Sequence, residues 1–304
     1  MVLLGLAKVV ATLFVVSFVL FFVLRILPGD PARVVLGMQA GEESVQRFRQ
    51  EFGLNDPPLV QYLQWIGGIV RGDFGVSFST SQPVAVLIAE RLSITLFLTF
   101  TGLVLALLFS IPPAVVSSRN PWGFVDRSFL FMAHVLMAFP EFWVGMVLIV
   151  VFAGSLGLFP LFGTGLGWHL FLPVLALGLN RAPILFRTIR TGLLQELSKP
   201  YVGFFLASGM KKRQLYQHFL MINLIPSVVA VLSIQLGYLL GGAVIIEQLF
   251  ALPGLGRLLL SALLSRDMPV IQAGILLSSG VFALVGFFSD LVNNVLVPRG
   301  YHEE

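Results

Sequence analysis

Cysteine is absent from the 304 residues, and charged side chains make up only 11% of them. Without cysteine the chain has no disulfide framework, no thiol nucleophile and no cysteine-ligated zinc. An ordinary soluble domain carries roughly 25% charged residues. So small a fraction of charged residues argues against a water-soluble protein, because one core could not bury so much apolar surface.

Several catalytic motifs are also missing from the sequence. It has no Gly-x4-Gly-Lys-Ser/Thr loop, so any ATP hydrolysis must take place on another chain. It contains no His-Glu-x-x-His, no Gly-x-Ser-x-Gly and no two histidines at metal-site spacing. The absence of these motifs argues against an enzyme, and we expect neither a cofactor nor a metal in this chain.

Apolar side chains dominate what is present. They form 57% of the chain, with 28 phenylalanines, and the mean hydropathy is +0.93. The net charge of +4 is typical of a membrane protein with Lys and Arg at its cytoplasmic edges. A nucleic-acid-binding protein would show a basic stripe on a soluble face, and none is present. The composition indicates a protein surrounded by lipid.

Long stretches without charge predict the membrane spans. A retained first helix is favoured over a signal peptide, because its apolar run reaches the spanning length of about 20 residues and no small-residue cleavage site follows. The 39-residue uncharged interval 142–180 is too long for one span, and glycines divide it. The predicted fold is an all-α integral membrane protein with six transmembrane helices, at about 9–27, 93–117, 128–153, 170–195, 217–246 and 270–296.

The basic residues of the short loops predict the orientation. Segment 118–127 carries Arg119 and Arg127, and segment 196–216 carries three lysines and an arginine, so both are expected to be cytoplasmic. Six spans then place both termini in the cytoplasm. The predicted organisation is a first transmembrane helix at 1–27, an extracytoplasmic segment at 28–92 with helices over 42–52 and 59–70, and a five-helix core at 93–304.

Segment 196–216 is the most informative part of the sequence. Ser198 is predicted to cap a helix that has Pro200 in its first turn, and Gly209 allows a turn with positive φ before a second helix. The apolar side chains of the first helix, Tyr201, Phe204, Phe205 and Met210, form a face too short to span a membrane. An apolar face of this kind at the cytoplasmic edge usually contacts a partner.

The residues of this segment resemble the EAA loop of permeases from binding-protein-dependent ABC importers. The resemblance rests on Tyr201-Val202, Ala207-x-Gly209-Met210, His218, Asn223 and Pro226. Further motifs are similar to the dipeptide, oligopeptide and nickel branch: Pro28-Gly29-Asp30-Pro31, Gly53-Leu54-Asn55-Asp56-Pro57-Pro58, Gly72-Asp73-Phe74-Gly75-Val76-Ser77, Pro140-x-Phe142-Trp143, Glu247-x-x-Phe250-x-x-Pro253-Gly254-Leu255-Gly256-Arg257, Arg266-Asp267-x-Pro269-Val270-x-Gln272 and Pro298-Arg299.

The resemblance implies a type I importer permease of a bacterial or archaeal inner membrane, forming half of a translocation pathway. It implies a second homologous permease, two ATPase subunits that hold ATP and Mg, an external binding protein, and a peptide, nickel or metal–opine cargo. Gly203 and the two phenylalanines after it depart from the family pattern and make the docking surface more apolar. The implied ATPase-docking residues are Pro200, Tyr201, Val202, Phe204, Phe205, Ala207, Gly209, Met210 and Lys211.

Four polar residues are candidates for the pathway. Glu141 is predicted to lie in the middle of the third span, where a carboxylate needs a cavity or a cation. Asn180 and Arg181 are predicted to break the fourth span near Pro183, either lining the pathway or serving the structure. Glu247 is predicted to end the fifth span, where it either anchors the turn at 253–256 or meets cargo.

Two other functions remain open from the residues alone. An ion-coupled secondary transporter would need carboxylates inside its spans, for which Glu141 and Asp290 are the candidates. An intramembrane enzyme would need a catalytic motif, and the sequence contains none of those named above. Arg187 and Arg190 are interpreted as cations that extend from the fourth span to the membrane surface.

Overall fold

The computed structural model describes residues 2–26, 29–37, 39–161, 163, 167–216 and 221–296. Four residues used in the motif comparison lie outside this set: Pro28, His218, Pro298 and Arg299. Within the described residues the chain is helical, and the single β-bridge joins Val76 to Pro83. The predicted all-α class is confirmed.

The helices follow one another with short connections. They are α1 (Val2–Ile26), α2 (Pro31–Leu36), α3 (Glu42–Glu51), α4 (Pro58–Val70), α5 (Val84–Arg119), α6 (Phe124–Ala138), α7 (Glu141–Leu148), α8 (Phe171–Leu197), α9 (Pro200–Ala207), α10 (Lys212–Leu215), α11 (Met221–Leu249), α12 (Leu255–Ser265) and α13 (Met268–Leu296). A π-helical turn, Ile149–Ser155, continues α7, and a 3-10 turn, Trp168–Leu170, precedes α8.

Five of these helices are long and apolar enough to cross a membrane, and α6 with α7 would make a sixth span. These two are not the continuous helix predicted over 128–153, because the chain bends by 99° between them. Pro140 causes the break: the residue before a proline is driven into extended backbone, and Phe139 has φ −93° and ψ 132°. Glu141 therefore lies in the first turn of α7 and not in the middle of a span.

The predicted break at Asn180 and Arg181 is wrong. Helix α8 runs without interruption from Phe171 to Leu197 with Pro183 inside it. A proline removes one backbone hydrogen bond, and transmembrane helices tolerate this loss where neighbouring helices pack against them. Pro183 is itself buried, so the break expected from the sequence is suppressed by packing.

Two compact units make up the described chain. The first comprises Met1–Thr95 with Pro253–Leu284 and contains the predicted helical segment after the first span. Helices α3 and α4 begin and end within two residues of the predicted bounds, which confirms the helical prediction for that segment. The division into 1–27, 28–92 and 93–304 concerns membrane crossing and stays a prediction.

The second unit comprises Leu96–Leu252 with Val285–Glu304. Helix α8 lies at its centre and packs against α6, α7 and α11. It approaches α5 closely through Gly102 and Gly178: a Cβ on either glycine would lie 3.0 Å from a leucine Cβ of the facing helix. Small residues permit this separation between helices in a membrane. Asn180 and Arg181 lie on α8, and segment 196–216 begins in its last turn.

Candidate functional site

The segment between α8 and α11 forms two short helices joined by a glycine turn. Helix α9 begins at Pro200 after Lys199, whose backbone is extended with φ −73° and ψ 145°. Gly209 has φ +90° between α9 and α10, a conformation that glycine adopts at little cost. The predicted arrangement of helix, glycine turn and helix is confirmed.

The start of α9 differs in one respect from the prediction. Ser198 does not cap the helix; its Oγ donates to the carbonyl of Gln195 at 2.7 Å. The Ser198 N–H also donates to carbonyls of the last turn of α8. Ser198 therefore completes the end of α8, and the N-cap position of α9 falls to Lys199, which has no side-chain acceptor for the role.

One face of this segment is anchored in the core of the second unit. Val202 is 4% exposed. It shares a buried cluster with residues of α8, α10 and α11, including Phe186, Ile189, Leu193, Leu215, Tyr216 and Leu224. Tyr201, Phe205 and Met210 pack against the same cluster. The single exposed apolar face predicted for α9 is therefore corrected, because three of its four members turn towards the core.

The opposite face of α9 is open. Phe204 is 71% exposed and Leu206 is 38% exposed, and Gly203, Ala207 and Lys211 are exposed beside them. Exposure of a large aromatic side chain to water is unfavourable, since its transfer to an apolar environment is favourable by about 1.5–3 kcal/mol. A short helix that is anchored on one side and apolar on the other is suited to bind a partner.

Glu196 in the last turn of α8 connects this segment to its neighbours. Its Oε2 accepts from the Tyr201 hydroxyl at 2.7 Å and from Asn223 Nδ2 at 3.4 Å, and its Oε1 accepts from Lys199 Nζ at 2.5 Å. Asn223 Nδ2 also donates to the Tyr201 hydroxyl at 3.1 Å. No role for Glu196 is predicted from the sequence, because nothing in the sequence shows which side chains its carboxylate contacts.

The structure pairs two of the predicted pathway residues. Arg181 on α8 donates to Glu141 Oε2 on α7 at 2.6 Å, and both side chains are largely buried. The guanidinium also lies over the Tyr238 ring of α11, 5.7 Å from its centroid. Glu141 Oε1 and Arg181 Nε are buried without a hydrogen-bond partner among the described residues. The cation that a buried Glu141 needs is therefore Arg181.

The other two pathway candidates lie on α8 and α11. Asn180 precedes Arg181 on α8 and is half-buried. Glu247 is fully buried near the end of α11, where its backbone carbonyl accepts from the Leu252 N–H at 2.8 Å. Of the four candidates, the structure joins Glu141 and Arg181 as an ion pair.

A buried ion pair was missed by the sequence analysis. Arg190 Nε and Nη2 donate to the two Asp126 oxygens at 2.6 Å each, and the Trp122 N–H donates to Oδ2 at 2.8 Å. Arg190 is only 7% exposed, so its interpretation as a cation reaching the membrane surface is wrong. The pair joins α6 to α8, and removal of either partner would leave an uncompensated buried charge.

In the first unit, two of the sequence motifs meet. Asp267 accepts from the Ser77 hydroxyl at 2.5 Å and from the backbone N–H groups of Phe78 and Ser79 at 3.0 and 3.2 Å. The carboxylate is 2% exposed, and these donors compensate its burial. The motif at 72–77 thus ends in a loop that is fixed by the motif at 266–272.

Among the described residues, no group of three or more His, Asp or Glu side chains is placed to hold a metal ion. The polar side chains of the second unit instead pair with one another, as in Glu141 with Arg181 and Asp126 with Arg190. These ion pairs fix α6 and α7 to α8, and the exposed apolar face of α9 is suited to bind a partner.

Comparison with known proteins gives a consistent result. Residues 102–300 match the family described as binding-protein-dependent transport system inner membrane component, and residues 2–99 match its N-terminal family. The chain is 38% identical over 292 residues to the glutathione transport system permease protein GsiC of Escherichia coli strain K12, covering 95% of this chain and 94% of that protein. The same identity and coverage hold for GsiC of Shigella dysenteriae serotype 1.

Solved structures of two transporters share the fold. An inward-facing conformation of the MetNI methionine ABC transporter aligns with a TM-score of 0.59 at 18% identity, over 70% of this chain and 97% of that one. An amino acid ABC transporter with histidines aligns with a TM-score of 0.53 at 16% identity, over 69% and 94%. The family predicted from the motifs is confirmed: the chain belongs to the inner membrane components of binding-protein-dependent transport systems and is an ABC importer permease.

Proposed function

We propose that this permease couples to a separate ATPase subunit through a docking face formed by Gly203, Phe204, Leu206 and Ala207. The observation that carries the proposal is the 71% exposure of Phe204 on a helix whose opposite side is held in the core. Because α9 is packed against the core, a displacement of α9 would be transmitted to the helices that it contacts. Docking would bury Phe204 in a groove of matching apolar character.

The sequence-based list of docking residues divides into two roles under this proposal. Phe204 and Ala207 would touch the ATPase, with Lys211 at the rim, where exposed Arg213 lies as well. An acidic rim on the partner groove would complement these two cations. The anchoring role falls to Tyr201, Val202, Phe205 and Met210, which pack in or against the buried cluster. Pro200 would set the start of α9 and Gly209 the turn after it.

We infer the remaining partners from the family. The ATPase subunits would hold ATP and Mg, a second homologous permease would complete the pathway, and an external binding protein would deliver cargo. The 38% identity to a glutathione permease favours a small peptide as cargo. Nickel and metal chelates are the alternatives that the motifs of this branch leave open.

We further propose that Glu141 and Arg181 line the pathway together with Asn180, and that Glu247 supports its far end. The two buried atoms without partners, Glu141 Oε1 and Arg181 Nε, support this role. Buried polar groups are usually hydrogen-bonded. Glu141 Oε1 can accept a hydrogen bond from an ammonium group, and the Arg181 Nε–H can donate one to a carboxylate. Peptides present both groups.

The docking proposal predicts a specific loss of binding for Phe204→Glu. The substitution puts a charge where an apolar groove must close, and a lost aromatic anchor costs about 2 kcal/mol or more in a protein interface, or roughly 30-fold in affinity. Co-purification of the ATPase with the tagged permease measures the effect. Phe204→Leu, which keeps the surface apolar, is the control and should retain most binding. Equal co-purification with both variants would contradict docking at α9.

The proposed orientation places both termini and segment 196–216 in the cytoplasm. Because the chain has no cysteine, single cysteines report on each side without background. Ser44→Cys and Gln64→Cys should react with a membrane-impermeant thiol reagent added outside intact cells, and Ser208→Cys and Gln214→Cys should react only after the cells are opened. All four positions are exposed, so access depends on the side of the membrane. Outside labelling of Ser208→Cys would reverse the orientation.

A further inference from the structure

The carboxylate of Glu196, at the end of α8, makes hydrogen bonds that the docking proposal does not use. Glu196 is 8% exposed. Through hydrogen bonds to its carboxylate, it joins its own helix α8 to Tyr201 of α9 and to Asn223 of α11. The Tyr201 hydroxyl, Asn223 Nδ2 and Glu196 Oε2 form a closed triangle with sides of 2.7, 3.1 and 3.4 Å. Together these three residues are here called the Glu196 clasp.

The clasp ties the coupling helix to the helix that enters it and to the helix that leaves it. Hydrogen bonds to a carboxylate are about twice as strong as neutral ones, and their directionality fixes the rotation of α9. The apolar contacts of Val202 hold α9 against the core, but the hydrophobic effect that stabilises them is not directional. The clasp therefore supplies the rotational restraint that packing lacks.

The two helices joined by the clasp meet again at the proposed pathway. Arg181 precedes Glu196 by fifteen residues on α8, and Tyr238 follows Asn223 by fifteen residues on α11. At 1.5 Å per residue, each distance is about 22 Å along its helix. Arg181 lies over the Tyr238 ring at 5.7 Å, so α8 and α11 are connected at two levels, once beside the coupling helix and once beside Glu141.

We propose that Glu196 is a positioning residue that makes α8, α9 and α11 move together, so that a displacement of the docking face reaches the Glu141–Arg181 pair. This inference rests on the proposed docking of α9 to an ATPase. Binding and coupling would then depend on different residues. The docking face determines whether the ATPase binds, and the clasp determines whether the bound ATPase moves the helices of the pathway.

The test uses the complete transporter in vesicles and measures cargo taken up per ATP hydrolysed. Glu196→Leu keeps the volume and removes the acceptor; cargo per ATP should fall roughly tenfold, the size expected from the loss of about one charged hydrogen bond. ATPase co-purification should stay within about twofold, because Phe204 is untouched. Lys199→Met is the matched control, since its partnership with Glu196 is half-exposed and exposed pairs contribute little.

Two further variants keep the inference open to refutation. Tyr201→Phe deletes a single oxygen and should also lower cargo per ATP, which decides the question if Glu196→Leu does not fold. In the Glu196→Leu background, Tyr201→Cys with Asn223→Cys joined by a short thiol linker should recover coupling, and cleavage of the linker should abolish it again. A role in folding alone would show no such reversibility.

The failures are distinguishable. Unchanged cargo per ATP in both Glu196→Leu and Tyr201→Phe would overturn the clasp and leave docking intact. A parallel loss of ATPase binding and uptake in these variants would also overturn it, because Glu196 would then act on docking. Failure of the docking proposal itself would appear as normal ATPase binding by Phe204→Glu.

Discussion

Gly209→Val is expected to abolish cargo uptake while the chain still inserts into the membrane. Gly209 has φ +90°, a conformation that costs a side-chain-bearing residue about 1–3 kcal/mol and is most unfavourable for a β-branched one. No atom lies within 4 Å of the position a Cβ would occupy, so the effect comes from the backbone alone. The turn would reopen, and α10 would no longer place Leu215 and Tyr216 in the core.

The measurement for Gly209→Val combines uptake with ATPase co-purification, and both should fall at least tenfold if the turn sets the docking face. Gly209→Asn is the matched control, because asparagine tolerates positive φ better than other residues; it should retain a substantial part of both activities. Equal behaviour of the two variants would show that backbone conformation at this position has no part in coupling.

Glu141→Gln is expected to reduce uptake strongly, because it leaves Arg181 as an uncompensated buried charge. Breaking a buried ion pair from one side costs about 3–5 kcal/mol, and the 2.6 Å contact between two nearly buried side chains belongs to that class. Arg181→Gln should have a comparable effect. The single variants should lose stability, and the double variant Glu141→Gln with Arg181→Gln, which removes both charges, should restore stability and assembly with the ATPase.

The double variant distinguishes a pathway role from a structural one. If the pair meets cargo, uptake of cationic peptides should stay low in the double variant although assembly is restored. Uptake assays with matched cationic and neutral peptides measure this directly. Recovery of both uptake rates to the level of the unsubstituted protein would assign Glu141 and Arg181 to the scaffold.

Most of the fold was predictable because lipid imposes a simple requirement on the sequence. A spanning helix needs about 20 apolar residues, and charges mark where each one ends. The break at Phe139–Pro140 was missed because Pro183 and Pro140 look alike in sequence. Pro183 is buried against packed helices and is accommodated, whereas the chain turns sharply at Pro140. Which proline bends the chain depends on tertiary packing.

The coupling segment was predictable in outline and not in detail. Gly209 and Pro200 have local conformational preferences, so their roles follow from the sequence itself. The face to which each aromatic residue turns depends on the rotation of α9 against the core. Phe204 and Phe205 are neighbours in sequence, yet one is exposed and the other packs on the buried cluster.

Side-chain partners across long sequence separations could not be predicted. Asp126 and Arg190 are 64 residues apart, and Ser77 and Asp267 are 190 apart; no periodicity connects such positions. The motifs that contain Ser77 and Asp267 were recognised, but their contact requires the folded first unit. Glu196 was overlooked for the same reason, since Asn223 joins it only when α8 and α11 are side by side.

This chain is an ABC importer permease, so its transport should be driven by ATP. Peptide uptake into vesicles tests this directly when the vesicles contain the permease with its partner subunits and the binding protein is added outside. Uptake should require ATP inside and the binding protein outside, and it should persist when proton and sodium gradients are dissipated. Uptake by the chain without an ATPase, driven by either gradient, would contradict the account and identify an ion-coupled carrier.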